Sequence, residues 1–192
     1  RIVEELEYRY AEFPGLNLSW EVLQAQALHS KRTDVPAIQE FRAAGQPLLE
    51  AQVVDEADSL AYNTHDIDDA LSAGLITVND LEEAAFWVQA AERVRRRQPA
   101  PGPLQFQPSV VRTLIDWQVT DLLEQTRRNL RQESIGSAAQ VRACPRLVVA
   151  FSPAVQRMKE ELEGFLRQRV YRHHRVMRMA YKGKRIIRQL FE

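Results

Sequence analysis

The sequence predicts an all-α protein. Apolar residues recur at helical spacing along almost the whole chain of 192 residues, and no convincing run shows the strict apolar–polar alternation of a half-buried strand. Apolar residues make up 45% of the chain and charged residues 27%, which is an ordinary globular composition and argues against wholesale disorder. Glycine and proline residues mark where the helices begin and end.

Five helices are expected in the first hundred residues, at about 1–10, 19–29, 36–45, 47–72 and 77–97. Ser19 is a typical N-cap residue, and Pro36 suits the first turn of a helix. Gly74 ends the long fourth helix. Thr77 and Asp80 have the spacing of a capping box, which predicts that the fifth helix starts there.

Three further helices are expected at about 108–133, from 152 to 174, and from there to the end of the chain with a break at Gly183. Ser152 and Pro153 form an N-cap followed by a first-turn proline. The stretch 136–144 is expected to be looser. Residues 98–103 contain three prolines and a glycine and cannot continue a helix, so we place a linker there and divide the chain into 1–98 and 99–192.

The zero net charge of the chain conceals an asymmetry. Residues 1–100 carry 18 acids and 9 bases, a net charge of −9, whereas residues 101–192 carry 8 acids and 17 bases, a net charge of +9. One explanation is an acidic region that faces cations, together with a basic region that faces either phosphates or the acidic half of the chain itself. Two solvated faces of opposite sign would explain it equally well.

Two classes of protein are excluded by simple counts. The longest apolar runs, Leu147–Phe151 among them, have five residues, whereas a membrane span needs about 20, so we expect no membrane partner. The single cysteine, Cys144, cannot form an internal disulfide or a cysteine-based zinc site, so nothing requires an oxidising compartment.

The helix at 47–72 concentrates residues that carry chemistry. At about 100° per residue, one arc about 100° wide holds four carboxylates, an imidazole and a phenol: Asp55, Asp58, Tyr62, His65, Asp66 and Asp69. The far side holds Ala57, Leu60, Ala61, Thr64, Ile67 and Leu71. Like charges at this spacing repel each other unless a cation compensates. We therefore expect that this face of the helix is enclosed, and that it binds a divalent cation or performs acid–base chemistry. A solvated acidic face is the alternative.

The same segment resembles a known family. Asp58-x-x-x-Tyr62-x-x-x-Asp66, within residues 50–66, is similar to the signature of bacterial deoxyguanosinetriphosphate triphosphohydrolase-like proteins, which are deoxynucleoside triphosphate (dNTP) triphosphohydrolases of the HD-domain superfamily. Residues 1–23 and the segments 165–174 and 190–191 resemble the same family, so the likeness spans essentially the whole chain. It implies a multi-helix HD-type bundle, in which 1–98 is the C-terminal half of the core and 99–192 is a C-terminal helical region with a basic tail.

The resemblance implies a role for three residues. Asp58 would be the last of four metal ligands, and Tyr62 and Asp66 would contact the deoxyribose, with Asp66 towards the 3′-hydroxyl. The other three ligands and the catalytic histidine of the family are missing from this sequence, so no catalytic residue is assigned and we expect this chain alone to be inactive. The complete enzyme would use a divalent metal ion (Mg²⁺, Mn²⁺ or another transition metal) to cleave dGTP-like substrates into deoxynucleoside and triphosphate.

Other charged residues have less specific interpretations. His29 is expected to be a plain structural or surface histidine, and His65 either orients a carboxylate or contacts substrate. The arginines at 93 and 95–97 fit a solvated helix end. Residues 157–192 carry 11 bases and 4 acids interleaved with aromatic residues, which suits single-stranded nucleic acid, a cover for the acidic half or a subunit contact.

The resemblance further implies a cytoplasmic homo-oligomer. Two other functions stay open at this point: a helical nucleic-acid-binding or regulatory module whose acidic face is only solvated, and an HD phosphohydrolase that acts on another nucleotide.

Overall fold

A computed structural model describes residues 2–29, 36–97 and 102–192 of the chain. The α-helices are α1 (Trp20–His29), α2 (Pro36–Ala43), α3 (Leu49–Ser72), α4 (Ala85–Arg97), α5 (Pro103–Gln132), α6 (Ala138–Ala143), α7 (Pro153–Leu166) and α8 (His174–Phe191). Over these residues there is no β-strand, and the predicted all-α class is confirmed. In the same residues, no helix is long and apolar enough to span a membrane.

The chain forms two compact units. The first combines the described residues up to Glu56 with Gln125–Ala150, and the second combines Ala57–Glu124 with Phe151–Glu192. Helices α3 and α5 each contribute residues to both units. The predicted division near residue 98 falls in 98–101, outside the described residues, and stays a prediction. Most of the predicted linker at 98–103 lies there too, but its last residue, Pro103, is the first residue of α5, so the linker was predicted to end too late.

In the first unit, a buried glutamine on α1 organises the neighbouring helix. The Gln24 side chain donates hydrogen bonds to the carbonyls of Phe41 (2.9 Å) and Gly45 (3.3 Å) at the end of α2, and it accepts one from Arg142 (3.1 Å). Gly45 has a φ of +94°, and a Cβ atom built there would lie 2.6 Å from the Arg142 carbonyl oxygen. The turn after α2 therefore requires glycine.

The buried backbone at Val148 and Val149 lies outside any helix or strand, so side chains satisfy it. Both amide groups donate to Oε1 of Gln52 on α3, at 2.8 and 3.1 Å. The Val148 carbonyl accepts a hydrogen bond from the Asn129 side chain on α5, at 2.8 Å. Gln52 is itself anchored by a bond to the Pro47 carbonyl. The side-chain amides of Gln52 and Asn129 thus supply the hydrogen bonds that buried backbone requires and that a neighbouring strand would supply in a sheet.

In the second unit, α4 buries its apolar stripe and packs against α7 and the 3₁₀ turn Asp80–Glu83. Phe86 meets the edge of the Trp117 ring on α5, with ring centroids 5.0 Å apart. The Arg93 guanidinium lies 3.2 Å above the same Trp117 ring, and burial together with the nearby arginines lowers its pKa. The predicted solvated helix end is confirmed for Arg95–Arg97, which are exposed, and was wrong for Arg93 because that side chain packs on the Trp117 ring.

Two predicted helix starts have the expected capping contacts. The Ser152 hydroxyl accepts from the Val155 amide (3.4 Å) at the start of α7, while the Ser152 amide donates to Asp121 (2.7 Å). Thr77 and Asp80 make the reciprocal bonds of a capping box. That box begins a 3₁₀ turn, Asp80–Glu83, and the extended residue Ala84 separates it from α4.

Six predicted boundaries were wrong. Helix α4 starts at Ala85 and not at 77, and α5 starts at Pro103 and not at 108, so that Pro108 lies inside it.

The other four wrong boundaries concern shorter segments and helix ends. Residues Ile2–Leu6 form a single π-helical turn in place of a helix to residue 10. The stretch expected to be loose contains α6, which is capped by Ser137. Helix α7 ends at Leu166, and a π-helical turn, Arg167–Tyr171, follows it. Helix α8 continues through Gly183, because no neighbouring group forces a break there and its flanking residues are good helix formers.

Candidate functional site

The part of α3 that belongs to the second unit has a packed side and an open side. Leu60, Thr64 and Ile67 are buried, as predicted. The packed stripe is rotated towards Asn63 and Ala70, which are also buried. For this reason Ala57, predicted to pack, is exposed.

The open side carries the residues with candidate chemistry: Asp58, Tyr62, His65 and Asp69. The Tyr62 side chain is 59% exposed. The prediction that this face is enclosed is therefore wrong for the described residues, because their packing covers the opposite stripe. Asp66 lies at the edge between the two sides and is half-buried.

Asp66 is held by a residue that the sequence did not single out. The phenol of Tyr171, in the π-helical turn after α7, donates a hydrogen bond to Asp66 Oδ2. The Tyr171 and Tyr62 rings lie 6.3 Å apart at an angle of 50°. Tyr62, Asp66 and Tyr171 thus form one aromatic and acidic cluster in the second unit.

This cluster alters the acidity of the phenol. Burial raises the pKa of Tyr171 well above its ordinary value of about 10, and the hydrogen bond and negative charge of Asp66 raise it further. Tyr171 therefore remains a neutral hydrogen-bond donor throughout the physiological pH range. A fixed donor of this kind determines which way the Asp66 carboxylate points.

A buried charged network lies on the neighbouring side of α3. Lys159 of α7 donates to Ser59 Oγ (2.9 Å) and to Glu163 Oε1 (2.7 Å). The Asn63 side chain donates to the same Glu163 oxygen at 2.8 Å. These four residues join α3 to α7 directly beside the open side.

In the first unit, the prediction that His29 is a structural or surface histidine is confirmed, because its side chain is exposed and paired with a carboxylate. Its Nδ1 atom lies 2.5 Å from the Asp55 carboxylate, so the histidine at the end of α1 pairs with α3. The two residues are 26 positions apart, and helical spacing within either helix contains no signal for this contact.

The open side of α3 offers a metal ion a suitable ligand, Asp58, among the described residues. The Asp58 carboxylate is a ligand of the type that Mg²⁺ and Mn²⁺ prefer. However, in the residues that the structure describes, no three histidine, cysteine, aspartate or glutamate side chains converge closely enough to hold an ion. These residues do not form a complete metal site.

Helix α8 is a second candidate surface. Its cationic residues occupy one side of the helix: Arg175, Arg178, Lys182, Lys184, Arg185 and Arg188. Its other side carries exposed apolar residues, among them Met179, Ile187 and Leu190. The His173 side chain caps the start of this helix and lies against the His174 ring.

Comparison with known proteins gives a consistent result. The sequence profile of the phosphohydrolase-associated domain, HD_assoc, matches residues 149–192. The whole chain is 41% identical to a protein of Geobacter metallireducens and 40% identical to proteins of Bordetella pertussis and Parvibaculum lavamentivorans. Each of these is named a deoxyguanosinetriphosphate triphosphohydrolase-like protein.

The matches cover all of this chain but only 50%, 51% and 52% of those three proteins. The chain therefore spans about half the length of the relatives it matches. The resemblance inferred from the Asp58–Asp66 motif is confirmed over the full length of the chain.

Proposed function

We propose that this chain, homologous over its whole length to deoxyguanosinetriphosphate triphosphohydrolase-like proteins, is part of a longer enzyme that hydrolyses deoxynucleoside triphosphates to deoxynucleoside and triphosphate. The observation that carries the proposal is the whole-chain similarity at about 40% identity to proteins of that name. The match to the phosphohydrolase-associated domain supports the same reaction class. The chain alone is inactive under this proposal.

Asp58 contributes one oxygen ligand to a divalent metal ion in the complete enzyme. Its exposure on the open side of α3 supports this role, because a ligand must be accessible to a partner segment that carries the remaining ligands. One carboxylate cannot retain an ion against water, since affinity comes from several converging ligands. When bound, such a metal ion polarises the phosphoryl group and activates water.

Tyr62 and Asp66 bind the deoxyribose. The exposed Tyr62 ring offers a flat apolar surface to a sugar, and Asp66 offers Oδ1 to the 3′-hydroxyl while Oδ2 accepts from Tyr171. Tyr171 fixes the direction of that carboxylate. The site residues therefore lie on three successive turns of α3, with Asp58 first and Asp66 last.

The remaining features of the proposal concern the whole protein. A cytoplasmic location agrees with the single buried cysteine, Cys144, which needs no oxidising compartment. A homo-oligomer agrees with the exposed apolar side of α8, which a subunit contact would cover.

A second function is favoured by α8. Its cations and exposed Tyr181 suit single-stranded nucleic acid, whose phosphates attract cations and whose bases stack on aromatic rings. A nucleic-acid-binding or regulatory module is the alternative to the enzyme. An HD phosphohydrolase for another nucleotide is the alternative within the enzyme class.

The decisive experiment is product identification. The complete protein, incubated with dGTP and Mn²⁺ or Mg²⁺, should release triphosphate and deoxyguanosine, whereas the 192-residue chain should release neither. Release of orthophosphate or pyrophosphate would assign the protein to another phosphohydrolase class. No turnover of any nucleotide, together with tight binding of single-stranded DNA, would support the binding module.

A further inference from the structure

Lys159 is a buried lysine that the proposed reaction does not use. It is only 6% exposed, although its charge would ordinarily remain in water. Its ammonium group lies against the Phe151 ring (5.8 Å) and is paired with Glu163. Burying a charge costs free energy that the ion pair only partly returns, so stability alone is a weak reason for lysine at this position.

The two α3 residues in this network directly follow the first two of the three site residues. Ser59, which accepts from Lys159, comes immediately after Asp58. Asn63, which shares Glu163 with Lys159, comes immediately after Tyr62. The network therefore holds the same two turns of α3 that carry Asp58 and Tyr62. Tyr171 holds the next turn through Asp66.

We propose that Lys159 is a positioning residue, whose buried ammonium fixes the rotation and axial position of α3 and so aims Asp58 and Tyr62. This inference rests on the proposed function, because Asp58 and Tyr62 are the residues being aimed. Hydrogen bonds are directional and short, whereas apolar side chains tolerate sliding and rotation. A methionine of similar length would fill the same space but release Ser59.

The first test measures amide hydrogen exchange in the complete protein and needs no activity. In the double variant Lys159→Met/Glu163→Gln both charges are removed, while the new amide oxygen still accepts from Asn63. Amide hydrogen exchange should become faster across residues 58–66 and remain unchanged in α4. Unchanged exchange across residues 58–66 would overturn the proposal.

The second test measures activity in the complete protein. The same double variant should keep its melting temperature, because the ion pair is removed as a whole and both new side chains have volumes similar to those they replace, yet lose kcat by about 100-fold, the typical cost of a small misplacement. The half-saturating Mn²⁺ concentration should rise as well. Glu160→Gln is the matched control, because Glu160 is an exposed carboxylate on the same helix, α7, and accepts a hydrogen bond from Gln156 one turn earlier. Its kcat should equal that of the wild type.

The outcomes separate the two proposals. A double variant with wild-type kcat, in a protein that releases triphosphate, would overturn the role of Lys159 alone. A wild-type protein that releases no triphosphate would overturn the proposed function, and the hydrogen-exchange result would then decide whether Lys159 fixes α3.

Discussion

Tyr171 and Asp66 are 105 residues apart in sequence, yet the phenol of one donates a hydrogen bond to the carboxylate of the other. The bond joins the π-helical turn Arg167–Tyr171 to α3 within the second unit. A π-helical turn is uncommon and is often found at functional sites. Here the last residue of the turn, Tyr171, orients the carboxylate of Asp66, which is predicted to bind substrate.

Replacing Tyr171 with phenylalanine should remove this bond and keep the ring. We expect the free energy of unfolding to fall by about 1 kcal/mol. A fully buried hydrogen bond to a charged group would contribute more, but Tyr171 is only half-buried. Urea denaturation measures the change. Tyr181→Phe is the control, because the Tyr181 side chain on α8 is 66% exposed, and it should leave stability unchanged.

The raised pKa of Tyr171 also predicts how stability depends on pH. In the unfolded chain this phenol ionises near pH 10, whereas in the folded chain it stays protonated at higher pH. Its contribution is therefore complete below about pH 10 and is lost progressively as the pH rises above that value. Urea denaturation from pH 8 to 11 should show the wild type losing stability faster than Tyr171→Phe; parallel curves would contradict the assignment.

Asp58→Ala should abolish triphosphate release by the complete protein, because the metal ion loses one ligand. Its fold should remain intact, since the side chain is exposed. Asp69→Ala provides the control: it removes an exposed carboxylate from the same side of α3, and it should retain most activity. Full activity in Asp58→Ala would show that the metal assignment is wrong.

Alanine substitutions at two glycines should change the free energy of unfolding in opposite directions. Gly183 lies inside α8, and a Cβ atom built there meets no atom within 4 Å, so Gly183→Ala should stabilise the helix by about 0.5–1 kcal/mol. Gly45→Ala should destabilise the chain by more than that, because of its positive φ and the Arg142 carbonyl. Helical circular dichroism during urea denaturation measures both effects.

The cationic side of α8 predicts salt-dependent binding of single-stranded DNA. Replacing Arg178, Lys182 and Arg185 with glutamine should weaken binding and reduce the slope of log K against log salt by about 2, since each phosphate contact contributes about 0.7. The control variant replaces Arg127, Arg128 and Arg131 of α5 with glutamine and so removes three positive charges from another helix. Equal losses in both triple variants would indicate a general charge effect without a site on α8.

Local signals explain what the sequence predicted correctly. Ser19 and Ser152 precede helices α1 and α7, and each accepts a hydrogen bond from the amide three residues later. The packed and open sides of α3 also followed from spacing within one helix. These predictions depend on residues within a few positions of each other, where sequence and geometry are directly linked.

The pairings between helices could not be predicted. The Lys159–Ser59 and Tyr171–Asp66 contacts join residues about a hundred positions apart, and periodicity gives the side of a helix but not its neighbour. The predicted break at Gly183 failed because one glycine costs only about 1 kcal/mol in a helix. The roles of Asp58, Tyr62 and Asp66 stay predictions, because they rest on the family resemblance.

The anchoring of Val148 and Val149 has a consequence for solubility. These residues lie in Leu147–Phe151, a five-residue apolar run that is rich in residues that favour strands. Unpaired backbone in such a run can add to a sheet formed with other molecules. Because Gln52 and Asn129 occupy these hydrogen-bonding groups, loss of either side chain would expose an aggregation-prone segment.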